Sequence, residues 1–140
     1  MSPRGRLTVE RTIVSPDRRW VCQLERVGEI RFGPPYFSLW LTREPAREPW
    51  WWQGRRALFG DHVRFSESSR FLIAERWRSL DVPNIDLVAI DLRAGAMRVA
   101  VAGIASVGAL ETEWQRWPDE PSGVGIAEPL EDWPFPKATC

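Results

Sequence analysis

The sequence predicts an all-β domain, mainly antiparallel, and three observations carry that expectation. Short runs rich in β-branched and aromatic residues alternate in polarity. Turn signals built from Ser, Pro, Asp and Gly separate them at close intervals. The same order of strands and turns then returns about fifty residues further along the chain.

Leu7 to Val14 is the first predicted strand, ended by the turn Ser15-Pro16-Asp17, and Trp20 to Leu24 resumes it. Glu29 to Phe32 is short and is closed by Gly33-Pro34-Pro35, after which Tyr36 to Leu41 alternates as a half-buried strand. In the second pass, Val63-Arg64-Phe65 leads into the turn Ser66 to Ser69, and Arg70 to Ala74 is the returning strand. Asp81 to Asn84 breaks the pattern. Ile85 to Leu92 follows, and Ala94-Gly95 is a hairpin turn into Met97 to Ala102.

Sliding the chain on itself by 51 places Ser15 on Ser66, Arg19 on Arg70, Trp20 on Phe71, Cys22 on Ile73 and Leu41 on Leu92. The pseudo-repeats span about 10–45 and 61–102. A meander of three or four strands has an apolar face that it cannot bury alone. Two related β-meanders, packed as a two-layer sandwich or as one bent sheet, therefore follow. After Gly103 the alternation fades: Ile104 to Trp117 admits a final strand or a short helical turn. Beyond it Pro118, Pro121, Pro129, Pro134 and Pro136 restrict the rest to an irregular strap, anchored by Trp133 and Phe135.

A length of 140 residues suits one domain, 1–140, with one sizeable core. No apolar run is long enough to span a bilayer, and the start, Met1 to Arg6, lacks a signal-peptide core. Two cysteines, Cys22 and Cys140, make neither a disulfide framework nor a metal spacing, so a reducing cytoplasm is the expected compartment. The formal net charge is zero, yet residues 1–80 carry fifteen arginines against nine acids and residues 81–140 carry four basic residues against ten. Halves of opposite sign complement each other or a partner. They do not make the net basic footprint that direct nucleic-acid binding needs.

Residues that carry chemistry are sparse. The single histidine, His62, stands beside Asp61 at a strand start and reads as a hydrogen-bonded turn or strand residue. Cys22, between Val21 and Gln23, reads as a core residue. No Cys-x-x-Cys, His-x-x-x-His or calcium-type acidic loop occurs. Ser122 to Ala127 echoes a glycine-rich nucleotide loop, but no strand precedes it. Glu111 with Glu113, or Glu25 with Glu29, are carboxylate pairs only of the generic kind that a glycosidase uses, and a solvated strand or loop face is the better reading of them. The expectation is no enzyme, no cofactor and no metal.

Nine tryptophans point instead to binding. Trp20, Trp40 and Trp77 fall in predicted strands and suit the core. Trp50-Trp51-Trp52, followed by Arg55 and Arg56, lies in the connection between the repeats, where three adjacent indoles cannot all face one core. Tryptophan and arginine are the types most enriched at interface hot spots. A second segment joins Glu111, Glu113, Trp114, Trp117, Asp119 and Glu120, acids around aromatic anchors that suit a basic protein partner.

Val14-Ser15-Pro16-Asp17-Arg18-Arg19-Trp20-Val21 and Phe65 to Ala74 resemble the "FSPDGRYLA" turn of β-propeller blades, and Asp91-Leu92-Arg93-Ala94-Gly95 resembles their "DLxTG" hairpin. With the intervening Glu29 to Tyr36, the layout over residues 10–102 also resembles small bacterial immunity proteins of polymorphic toxin systems. That resemblance implies a stoichiometric inhibitor that occludes a cognate toxin and has no chemistry of its own. The alternatives are a carbohydrate or small-ligand module that stacks sugars on exposed indoles, and an enzyme with a carboxylate-only site.

Overall fold

The computed structural model describes residues 9–29, 35–43, 51–53, 58–79, 84–116 and 128–130. They form strands β1 (Val9–Val14), β2 (Trp20–Glu29), β3 (Pro35–Arg43), β4 (Trp51–Gln53), β5 (Leu58–Phe65), β6 (Phe71–Trp77), β7 (Ile85–Asp91) and β8 (Ala96–Ile104). Helix α1 (Val107–Arg116) and strand β9 (Glu128–Pro129) follow. All strands belong to one antiparallel sheet in the order β1-β2-β3-β5-β6-β7-β8-β9, with β4 alongside β3. The all-β expectation holds, and of its two forms the structure takes the single bent sheet.

The two halves of the sheet join at β3 and β5, which share one bridge, Phe37 with Phe59. What holds the two halves together is a common core rather than that bridge. Trp20, Cys22, Leu24, Leu39 and Leu41 from the first half meet Val63, Phe65, Leu72, Ala74, Val88 and Ile90 from the second. A fully buried large apolar side chain contributes about 1.5–3 kcal/mol, against a net of about 1 kcal/mol for a hydrogen bond, so the core dominates.

The two turns that the repeat singles out are the same turn, 51 residues apart. Ser15 N–H donates to the Trp20 carbonyl (3.0 Å) and Ser66 N–H to that of Phe71 (2.9 Å). Each serine hydroxyl oxygen in turn accepts the opposing amide, Trp20 N–H at 3.0 Å and Phe71 N–H at 3.1 Å. Arg18 and Ser69 occupy the same left-handed position, with φ of 61° and 63°. The turns also touch, since Asp17 N–H donates to Ser69 Oγ at 2.9 Å.

The strands after these turns differ in one respect that the repeat does not foretell. β2 turns Trp20, Cys22 and Leu24 to the common core, whereas β6 turns Leu72 and Ala74 to it and Ile73 away from it. Two hairpins with the same turn thus bury opposite faces, so no twofold axis relates them. Cys22 and Ile73 are both fully buried, but on opposite faces.

Three further differences from the sequence reading come from strand pairing, and one open alternative is decided. β2 runs unbroken from Trp20 to Glu29, absorbing its polar end through a bulge between Arg26 and Gly28. Trp51 to Gln53 is not free loop but a short strand paired to Trp40, Leu41 and Thr42 of β3. Residues 107–116 are helical, and Glu128–Pro129 adds a strand to β8 inside the predicted strap. The anchors Trp133 and Phe135 lie outside the described residues.

β7 is buried on both faces, with only Asp91 partly exposed, because α1 covers the side turned away from the common core. Asp86, with no exposed surface, accepts from Arg76 Nη2 (2.9 Å), Arg78 Nε (2.9 Å) and Gly103 N–H (3.2 Å), tying β6, β7 and β8 together. Burial pushes its carboxyl pKa up; the bonds from Arg78, Arg76 and Gly103 outweigh that and leave it below the ordinary carboxylate value.

The paired turns generate a differential test. Arg18 is exposed and carries the cost of a left-handed backbone, so Arg18→Gly raises unfolding free energy by about 1 kcal/mol in urea titration. Ser69→Gly relieves the same backbone cost but deletes the acceptor of Asp17 N–H and gives no such gain.

Candidate functional site

The side of β5 and β6 turned away from the common core carries His62, Arg64, Glu75 and Trp77. There a bulge opens the ladder. Phe59 pairs with Arg76 and Val63 with Ala74, so the three residues 60–62 stand opposite the single residue Glu75. The room is taken by the Glu75 carboxylate. A Cβ on Gly60 would fall 1.9 Å from its Cδ and 2.0 Å from its Oε2, so only glycine leaves the space.

Glu75 is buried, and its oxygens are satisfied locally. Oε1 accepts from the His62 backbone N–H (3.2 Å) and from His62 Nδ1 (2.7 Å); Oε2 accepts from Trp77 Nε1. The other ring nitrogen of His62, Nε2, meets Glu111 Oε1 of α1 at 2.6 Å. A neutral imidazole has one donor and one acceptor nitrogen, whereas this ring faces a carboxylate oxygen at both. The geometry fits the imidazolium. Its pKa is raised, first by the hydrogen bond that it donates to Glu75 and then by that residue's charge and by Glu111; burial opposes but does not cancel them.

Helix α1 is placed by few residues. The Ser106 hydroxyl oxygen caps it by accepting Ala109 N–H at 3.1 Å. Leu110, one turn on, is buried against Trp77, Ile85, Leu87, Ala100 and Ile104. Trp114, a further turn on, meets the His62 ring edge-on at 5.2 Å, and the Arg64 guanidinium lies 4.9 Å from its ring centre. Thr112, Gln115 and Arg116 are left exposed, with Glu113 half-buried and 3.8 Å from Arg116.

Of the residues singled out in the sequence, Glu111, Glu113 and Trp114 are thus brought together on α1. Trp51 and Trp52 lie in β4, at the edge of β3, in a different element. Trp50, Arg55, Arg56, Trp117, Asp119 and Glu120 lie outside the described residues, as does Ser122 to Ala127. His62 is hydrogen-bonded as expected, but to two carboxylates, Glu75 on the paired strand β6 and Glu111 on α1. Cys22 is not near it: the thiol sits in the common core, and desolvation pushes its pKa up, away from thiolate chemistry. Arg64, Glu75 and Gly60 were missed, and the one cue to them was a glycine inside a strand pattern. Among the described residues no group of His, Cys, Asp or Glu is arranged to hold a metal, and no helix is long and apolar enough to cross a membrane.

Two outcomes follow. Because Glu75 is pinned by three donors, Gly60→Ala forces a buried charge to move and lowers stability by about 2 kcal/mol, read by urea denaturation. His62 has a folded-state pKa above its unfolded value, so its contribution is full below about pH 6.5 and is lost as pH rises through the raised value. The denaturation midpoint of the native chain falls over that window, and His62→Gln flattens the fall.

Compared with protein-family models, with curated proteins and with solved structures, the chain matches none, and the site is read from its own geometry.

Proposed function

We propose that this chain is a non-catalytic protein-binding domain of the immunity-protein type, which neutralises a cognate toxin by stoichiometric occlusion, and that α1 is its principal contact element. The observation that carries this reading is the fixed presentation of that helix. Leu110, Trp114 and the His62–Glu111 pair fasten its inner side, while Glu111 remains half exposed and Thr112, Gln115 and Arg116 face solvent. A surface ordered before contact loses less conformational freedom on binding. A part-exposed indole beside carboxylates suits a basic partner, and the acids Asp119 and Glu120 follow directly in sequence. A cytoplasmic setting goes with this reading, supported by the free, buried thiol of Cys22.

Affinity capture with the tagged chain in its native host, followed by light scattering of the eluted complex, tests the reading. The expected result is one stoichiometric protein, toxic when expressed alone and harmless when co-expressed. Charge reversal at Glu111 and Glu113 together (E111K/E113K) weakens that complex by about tenfold or more, whereas Arg93→Ala, in the exposed β7–β8 turn, leaves it unchanged. A monomer that retains no protein, with tryptophan fluorescence quenched by simple sugars, would move the chain to the ligand-binding class.

A further inference from the structure

The Glu75–His62–Glu111 chain is asymmetric, and the asymmetry has a mechanical meaning. Glu75 is 3% exposed and holds its place without the imidazole, through the His62 backbone N–H and Trp77 Nε1. Glu111 is 50% exposed, and its one described hydrogen bond runs to His62 Nε2. The other charged groups around the ring are already engaged. Asp61 pairs with Arg11 of β1 at 3.3 Å, Arg64 lies over Trp114, and Glu113 turns to Arg116.

We propose that His62 is a proton-operated latch: while both ring nitrogens are protonated it ties Glu111 of α1 to the sheet, and on losing the Nε2 proton it releases Glu111 to water while keeping Glu75.

The direction follows from which carboxylate can do without the ring. When the imidazolium gives up one proton to solvent, the proton that stays is the one on Nδ1, because a buried carboxylate facing a bare nitrogen lone pair has nowhere to go. Nε2 then presents a lone pair to Glu111 Oε1 at 2.6 Å, two acceptors in contact. The half-exposed side chain swings away at little cost, since water solvates it. Leu110 and Trp114 keep the helix docked, so the change is a loosening of one turn, not an undocking. The released carboxylate is a full, mobile negative charge on the exposed side of α1. No partner is needed for this step, so it stands or falls apart from the binding function.

The chain has one histidine, which makes the test direct. Long-range proton–nitrogen correlation spectra of the uniformly nitrogen-labelled chain, recorded from pH 5 to 10, report both ring nitrogens. Hydrogen exchange on the same samples reports protection of the α1 amides after correction for intrinsic rates. The expected result is a midpoint above that of free imidazole, with Nε2 losing its proton and Nδ1 keeping it. Protection of residues 111–114 should fall by roughly threefold across the same midpoint, the size suited to a half-exposed ion pair. In Glu111→Gln the midpoint falls, the Nδ1–H tautomer persists, and protection is low and independent of pH. A ring that ends as the Nε2–H tautomer, or α1 protection that stays level through the titration in the native chain, would overturn the latch. An imidazole that remains doubly protonated to pH 10 would do the same.

Discussion

A carboxylate buried between a sheet and the helix that covers it must be neutralised where it sits, and much of the second half of this molecule answers to that requirement. Glu75 lies in the middle of β6 on the side turned from the common core. Taking an ionised group out of water without partners costs many kcal/mol, so the sequence around it is constrained at several removes. Gly60 leaves the volume, the bulge across 60–62 turns His62 towards it, and Trp77 supplies an indole N–H. His62 then reaches α1 through Glu111. One buried charge thereby links strand register, a glycine, an aromatic and the position of a helix. A second buried carboxylate, Asp86, is met by Arg76 of β6, by Arg78 just beyond that strand and by the Gly103 N–H of β8.

These two sites differ in what they permit. Arginine stays charged across any accessible pH, so the Asp86 cluster is a fixed joint. Imidazole changes charge near neutrality, so the Glu75 cluster is a joint whose strength depends on its proton. The same need for neutralisation, met by different residue types, yields rigidity in one place and responsiveness in the other.

Local chemistry was legible in the sequence, and non-local chemistry was not. The Ser-x-Asp and Ser-x-Ser turns, the Asp91–Gly95 hairpin and the burial of Trp20, Trp77 and Cys22 follow from residues close in the chain, whose hydrogen bonds and alternation depend on few others. β2 looked broken at Leu24 because its far end is polar and exposed, and pairing with β3 overrides that composition. The sequence of α1 admits both strand and helix because Val107 and Gly108 are weak helix formers and only Leu110 and Trp114 mark its inner stripe. The His62 contacts join positions 13 and 49 residues apart, a separation that no pattern in one sequence encodes. The face that each hairpin buries is set by its neighbour, which is why matching Cys22 to Ile73 identified two buried residues but not their layers.

The burial of opposite faces by two hairpins that share a turn has a consequence for how the sheet is closed. Units related by a twofold axis satisfy each other and stop; units that stack front to back leave a new back for every front they cover. Here α1 lies across the outer side of the second half, against Trp77, Ile85, Leu87, Ala100 and Ile104. The helix thus acts as a cap: with Leu110 laid against Trp77, Ile85 and Leu87 and Trp114 against His62, the side turned from the common core is closed to a further layer.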